Sequence, residues 1–321
     1  MKKSLIALAI AGAMTAPIVA QADATLYGGV ETRLKFAEDK DADLYVDKAE
    51  MGVKGSSDLE NLDGVQATYQ IEFRLDANGT GDTAANGSNV NGDVIMRKAN
   101  VGLVGGFGIV QVGRQNRLTE AGEGYTDIMM SAGNNFMNND RVGNALTYVT
   151  PNMAGFEAYA QLIVDGSGDD NEEDVDGYTV GFNYALMGLD LSVGYSELNG
   201  NYTDGVGVDT GADDAQLVVV GAGYSIGDLG LGATYEKGEQ GSAEDEMYAL
   251  AATYALGNTT LKAVYGENFN DGGGNNDEQA YAVQAAYKLG KKAGVKAEYA
   301  VLDPDNASST DTVTLSYYVN F

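Results

Sequence analysis

One pattern recurs along the chain: apolar and polar residues alternate with a period of two. Val65, Ala67, Tyr69, Ile71, Phe73 and Leu75 alternate with Gln66, Thr68, Gln70, Glu72 and Arg74. Tyr281, Val283, Ala285, Tyr287 and Leu289 repeat the pattern. So do Val313, Leu315, Tyr317, Val319 and Phe321, set between Thr312, Thr314, Ser316, Tyr318 and Asn320. Successive side chains of a strand point to opposite faces, so each segment meets two different environments. About sixteen such segments occur, most near the ~9–11 residues of a tilted transmembrane strand. A last strand with a free edge is an aggregation hazard. Asp311–Phe321 is therefore expected to pair, antiparallel, with the strand containing Leu26, Val30 and Leu34, closing a barrel.

A soluble sandwich also alternates, and the connections separate the two. Short links fall near Gly105-Gly106, Pro151-Asn152, Met187-Gly188, Gly227-Asp228, Gly257-Asn258 and Gly290 to Ala293. Between them lie long links at approximately 77–93, 115–140, 165–176, 198–214, 237–245, 268–278 and 302–311. Short turns on one side and long loops on the other belong to an outer-membrane barrel. Tyr148, Tyr184, Tyr195, Tyr224, Tyr254, Tyr265, Tyr287, Tyr299 and Tyr317 lie on apolar faces, many near strand ends. There a ring is buried while its hydroxyl stays wet, as in an interfacial girdle. The expected fold is all-β: a 16-stranded antiparallel transmembrane β-barrel.

Lys2 and Lys3, the apolar run Leu5 to Met14 and Ala20-Gln21-Ala22 read as a secretory signal over residues 1–22, leaving a barrel at 23–321. Removing Lys2 and Lys3 leaves 17 basic against 47 acidic residues, a net charge of −30. That excludes nucleic acid as a partner. The chain has no Cys and no His, so it lacks the usual acid–base pairs of hydrolases and most transition-metal ligands. No catalytic, cofactor or metal site is expected, and the chain does not read as an enzyme. Acids crowd the long loops, Asp169, Asp170, Glu172, Glu173, Asp174 and Asp176 in one, Asp204, Asp209, Asp213 and Asp214 in another. A solvated, self-repelling surface accounts for them, as does divalent-cation bridging to lipopolysaccharide phosphates. Their spacing matches no EF-hand.

If apolar residues face lipid, the alternate ones face a lumen too wide for side chains to fill. All six Arg (Arg33, Arg74, Arg97, Arg114, Arg117 and Arg141) precede residue 142. Arg33, Arg74 and Arg141 have inward parity. Arg97 shares the parity of Ala99, Val101 and Leu103, so alternation points Lys98 inward instead unless a bulge intervenes. Two readings fit: a basic wall facing carboxylates across the lumen, or scattered arginines pairing with nearby acids. The longest link, approximately 115–140, carries Glu120, Glu123 and Asp127, and a loop of that length is usually functional or disordered.

The stretch Arg97-Lys98-Ala99-Asn100-Val101-Gly102-Leu103, continuing through Gly105-Gly106-Phe107-Gly108 and Val112-Gly113-Arg114, resembles the trimeric general-diffusion porins of Gram-negative outer membranes. Gly124-Tyr125-Thr126-Asp127 resembles the start of that family's inward-folded loop, and Asp140-Arg141-Val142-Gly143 its return to the wall. Leu26-Tyr27-Gly28 resembles the first strand, and terminal Phe321 the assembly signal for barrel insertion. The resemblance implies a homotrimer in the cell outer membrane, beside lipid and lipopolysaccharide, with a constriction loop folded into the lumen. It implies passage of small hydrophilic solutes and ions, with Arg97 and Arg141 in a basic wall and Asp127 on the acidic side. With the residues read above, the expected wall is Arg33, Arg74, Arg97, Arg114 and Arg141 and the expected acidic loop Glu120, Glu123 and Asp127. Met130-Ser131 replaces the Pro-Glu pair of enterobacterial members, and Gly29 and Glu50 stand where they carry basic residues. The acidic mouth predicts mild cation selectivity. A sugar-selective channel is the alternative, with Tyr159 and Tyr318 as its candidate lumen aromatics.

Overall fold

The computed structural model describes residues 24–75, 94–131, 141–165, 174–200, 213–270 and 277–321. The expected signal at 1–22 and the link at 77–93 lie outside them, as do Asp169, Asp170, Glu172, Glu173, Asp204 and Asp209. The chain forms β1 (Thr25–Ala37), β2 (Asp43–Asp58), β3 (Gln66–Leu75), β4 (Val94–Gly105), β5 (Gly108–Asn116), a single helical turn α1 (Glu120–Glu123), β6 (Arg141–Val149), β7 (Phe156–Ile163) and β8 (Gly177–Leu186). It continues with β9 (Leu189–Leu198), β10 (Ala215–Ile226), β11 (Leu229–Gln240), β12 (Ala243–Leu256), β13 (Thr259–Asn270), β14 (Glu278–Lys288), β15 (Ala293–Pro304) and β16 (Thr310–Asn320). Each strand pairs antiparallel with its neighbours in sequence, and β1 pairs with β16, so the sheet is a closed barrel.

The closing register runs from Gly29 opposite Asn320 to Ala37 opposite Thr312, with Val30 against Val319 and Leu34 against Leu315. That is the pairing the terminal alternation predicts. Burial is inverted relative to a water-soluble protein. On β16, Val313, Leu315, Tyr317 and Val319 are exposed, while Thr314 and Ser316 are 1% and 5% exposed. The apolar face looks outward to lipid.

Tyrosines mark two levels of that outer face. Tyr224, Tyr254, Tyr287 and Tyr317 lie near the short turns; Tyr195, Tyr235, Tyr248, Tyr265, Tyr281 and Tyr299 lie towards the opposite rim. At that rim acids cap the rings: Tyr178 and Tyr195 donate to Glu197, Tyr248 and Tyr265 to Glu267, and Tyr299 to Asp311.

One expected long loop is corrected. Residues 237–245 form a hairpin tip, β11 running to Gln240 and β12 starting at Ala243. Gly241 takes φ +60 in the turn, a conformation L side chains rarely adopt. Lys237 sits among Glu239, Glu244 and Glu246, which offsets their mutual repulsion at the tip.

Candidate functional site: the lumen wall and the loop it carries

The loop after β5 turns inward because one side of the barrel leaves it room. On β8 to β11 a run of inward positions is small: Gly181, Ser192, Gly194, Gly221, Gly223 and Gly232. α1 lies against them. Gly122 abuts Val219 and Gly221, and the Tyr125 ring covers Gly221 and Gly223. A Cβ at Gly232 would collide with the Tyr125 carbonyl. The Thr126 hydroxyl meets that of Thr234 at 2.9 Å, and Thr234 donates to the Gly122 carbonyl at 2.9 Å. Burial, reinforced by Asp190, pushes the Tyr125 phenol up to about 12, so it stays neutral.

The loop then follows the wall. Lys262 donates to the Ile128 carbonyl at 2.8 Å, and Ile128 and Met129 pack on Ala251, Val264, Ala282 and Ala300, small inward residues of β12 to β15. The Met130 N–H donates to Glu298 at 2.7 Å, and Arg33 donates to the Met130 carbonyl at 2.8 Å. Ser131 pairs with Thr314 at 3.0 Å. Residues 117–131 thus hang on successive strands from β9 round to β16 and β1.

The opposite wall is charged, and β-bulges set its density. Glu31 faces Lys48 and Thr32 faces Val46, so Asp47 is the extra residue on β2. Glu72 faces Lys98 and Phe73 faces Met96, so Arg97 is the extra residue on β4. A bulge breaks strict alternation; here each adds a charge to the lumen face beside its neighbour. Arg33 pairs with Asp47 at 2.8 Å and Glu31 at 3.3 Å. Arg74 donates to the Asp47 carbonyl at 2.6 Å. Arg97 reaches Glu72 at 3.0 Å and Glu50 at 3.2 Å, and Lys48 reaches Glu50 at 2.9 Å. Lys296 and Ser316 hold Glu31 at 2.9 and 2.8 Å. Basic residues expected to face acids across the lumen therefore meet them on their own wall.

The expected site residues fall into three groups. Arg33, Arg74 and Arg97 share the wall, and Lys98 lies within electrostatic reach of Glu72, Glu120, Arg97 and Arg141, which draws Arg141 and Glu120 to the same place. Asp127 is exposed beside Lys262, whereas Glu123 is 3% exposed, turned into the packing of the loop. Arg114 stands apart: it pairs with Ala99, which pairs with outward Ile71, and its Nε donates to the Met96 carbonyl at 3.1 Å. Its register position is on the outer face, because it shares the parity of Val112, 49% exposed to the outside. Of the two expected lumen aromatics, Tyr159 is buried with its hydroxyl on the Val193 carbonyl, and Tyr318 faces the lumen.

Sequence reasoning missed Glu31, Asp47 and Glu72, and also Lys48, Lys262 and Lys296, and noted Glu50 only as a departure from the family's basic positions. Most were legible by parity: Glu31 stands two residues from Arg33, Glu72 two from Arg74, and Lys262 and Lys296 alternate with outward Leu261, Ala263, Val295 and Ala297.

The sequence matches a family model described as Gram-negative porin over residues 6–307. It is 28% identical to the major outer membrane protein P.IB of Neisseria meningitidis serogroup B, over 91% of this chain and 90% of that protein. It is 28% identical to outer membrane protein U of Vibrio parahaemolyticus, over 89% of this chain and 86% of the other. Among solved structures, the anion-selective porin from Comamonas acidovorans is similar in fold, with a TM-score of 0.73 at 20% identity, covering 94% of this chain and 100% of that one.

Proposed function

The chain belongs to the Gram-negative porin family and is a β-barrel of the outer membrane, and from that premise we propose that it is a water-filled channel for passive diffusion of small hydrophilic solutes and ions. The observation that carries this reading is the course of the loop. Residues 117–131 bind the inner wall strand by strand instead of crossing the lumen, so they narrow the tube without sealing it. The narrow passage runs between the charged strands β1 to β4 and the exposed edge of the loop. Arg33, Arg74, Arg97 and Arg141 supply its basic side and Asp127 its acidic side, with Glu120 close to Lys98 where the loop leaves the charged wall.

Ion preference follows from charge balance. The wall cations are largely offset by Glu31, Asp47, Glu50 and Glu72, which leaves the acidic mouth to decide. A mouth potential acts over a Debye length of ~8 Å at physiological ionic strength. Mild cation selectivity that fades as salt rises is expected, read as a reversal potential across a planar bilayer. Clear anion preference at low salt would overturn it. Single-channel conductance with sugars of graded size tests the channel itself: a size cut-off is expected, and a folded barrel that carries no current sinks the proposal.

A homotrimer is the proposed assembly. Tyrosines ring the outer face from β6 to β16, but on β1 to β5 Tyr69 is the one outward tyrosine among the described residues. Trp and Tyr mark faces that meet the membrane boundary, so a stretch without them suits protein contact; elsewhere lipid and lipopolysaccharide are the neighbours. Residues 1–22 direct export through the periplasm. Phe321, whose N–H donates to the Gly28 carbonyl at 3.0 Å and whose ring covers Gly28, serves as the assembly signal.

A further inference from the structure

We propose that the inner wall of β16, β1 and β2 is a track for neutral, polyhydroxylated solutes of the saccharide class, which adsorb to it as they pass. The proposal rests on the channel reading above and adds a substrate class to it.

Two tyrosines reach along this wall. The Tyr27 ring covers Gly52 of the neighbouring strand, and the Tyr318 ring covers Gly294. In both, the hydroxyl end of the ring rests on the glycine, so the side chain reaches along the wall instead of standing out into the lumen. Each is half-buried, unlike Tyr125 and Tyr159, which packing removes from the lumen. An ammonium stands over each ring, Lys54 at 5.3 Å from the Tyr27 centroid and Lys296 at 5.2 Å from that of Tyr318, so each ring offers a solute its remaining face beside a donor. The Tyr27 hydroxyl donates to Glu72 at 3.0 Å and accepts from Gln70 at 2.7 Å. A third ring, Tyr45, stands opposite Arg33 and hydrogen-bonds it.

The rings are graded along the wall. Tyr318 stands opposite Glu31 and Tyr45 opposite Arg33, so from Tyr27 the steps are four and then two residues of β1. At ~3.3 Å per residue they span about 20 Å along the strand, the first step about 13 Å and the second about 7 Å. Between them lie the ion pairs of Glu31, Arg33, Asp47 and Lys296. Paired charges give donors and acceptors with little net field, which favours neutral hydroxyl-rich solutes over ions of either sign. The flat faces take the C–H side of a sugar ring, and the neighbouring groups take its hydroxyls.

The test is single-channel recording with maltotriose as the probe and glycerol at matched viscosity as the reference. Maltotriose is expected to interrupt the current in proportion to its concentration; glycerol is not. In the double variant Tyr27→Leu/Tyr318→Leu the interruptions shorten about tenfold, the loss of roughly one stacking contact, whereas Tyr27→Phe/Tyr318→Phe keeps them. Tyr45→Leu, which uncovers no glycine, gives the same reading if the Leu pair fails to assemble. A conducting pore without interruptions, or equal interruptions in the Leu variant, overturns the track while leaving the channel standing. Block by salicylate in place of maltotriose overturns the neutral class. A barrel that carries no current overturns both.

Discussion

Two parts of the inner surface are built on the same antiparallel strands and differ in their side chains and in two bulges. On β8 to β11 many inward positions are Gly, Ser or Thr, and the space they leave is filled by α1 and the Tyr125 ring. On β1 to β4 they are Glu31, Arg33, Glu50, Glu72 and Arg97, and the space is filled by ion pairs. Side-chain volume on one side and charge on the other make the passage off-centre. Bulges sharpen the contrast: Asp47 and Arg97 are the extra residues on the charged side, while the seat pairs without register shift from β7 to β11.

The largest effect is expected from filling the seat. Gly232→Val has no space, since even a Cβ meets the Tyr125 carbonyl, and such overpacking costs about 1–3 kcal/mol. The loop must lift from β11, so the sugar cut-off changes in graded-sugar conductance. An unchanged cut-off would mean the loop does not set the bore.

Next is the charged side. Arg97→Ala leaves Glu50 and Glu72 without their shared guanidinium, and the reversal potential should move towards cations. Glu72→Gln should move it the other way by a similar amount. If Arg97 and Arg141 are both replaced by Ala and neither conductance nor selectivity changes, they do not belong to the constriction.

A smaller change is expected where the two regions meet, at the tip of the loop. Glu298 accepts from the Met130 N–H and from Gln284, both at 2.7 Å. Removing it in Glu298→Ala leaves those donors without their acceptor, a loss of about 1–3 kcal/mol of attachment. Excess current noise with little change in mean conductance is the expected signature. This tie was hidden in the sequence: Glu298 alternates with outward Ala297 and Tyr299, so its direction could be read, but its partner lies 168 residues away. The barrel, its closure and the inward parity of Arg33 and Arg74 depend on local alternation and were legible for that reason. Which acid each arginine meets depends on register, and register here turns on bulges. Arg97 carried a warning, because its parity conflicted with its chemistry; Asp47 carried none.

Arg114 gives the smallest expected effect on the pore and the cleanest test of parity. Its sequence neighbours suggested a place in the basic wall, yet pairing with Ala99 sets it among outward residues on the stretch of barrel with a single outward tyrosine. An arginine facing lipid costs ~2–4 kcal/mol at the bilayer midplane and ~0–1 near the interface. In the proposed trimer, contact with a neighbouring subunit would relieve that cost. Arg114→Ala should therefore leave conductance and reversal potential as they are and lower the temperature at which trimers dissociate, measured by heating in mild detergent. A shifted reversal potential with unaltered trimer stability would place its guanidinium in the lumen after all, and the wall would then hold a cation that strand register does not reveal.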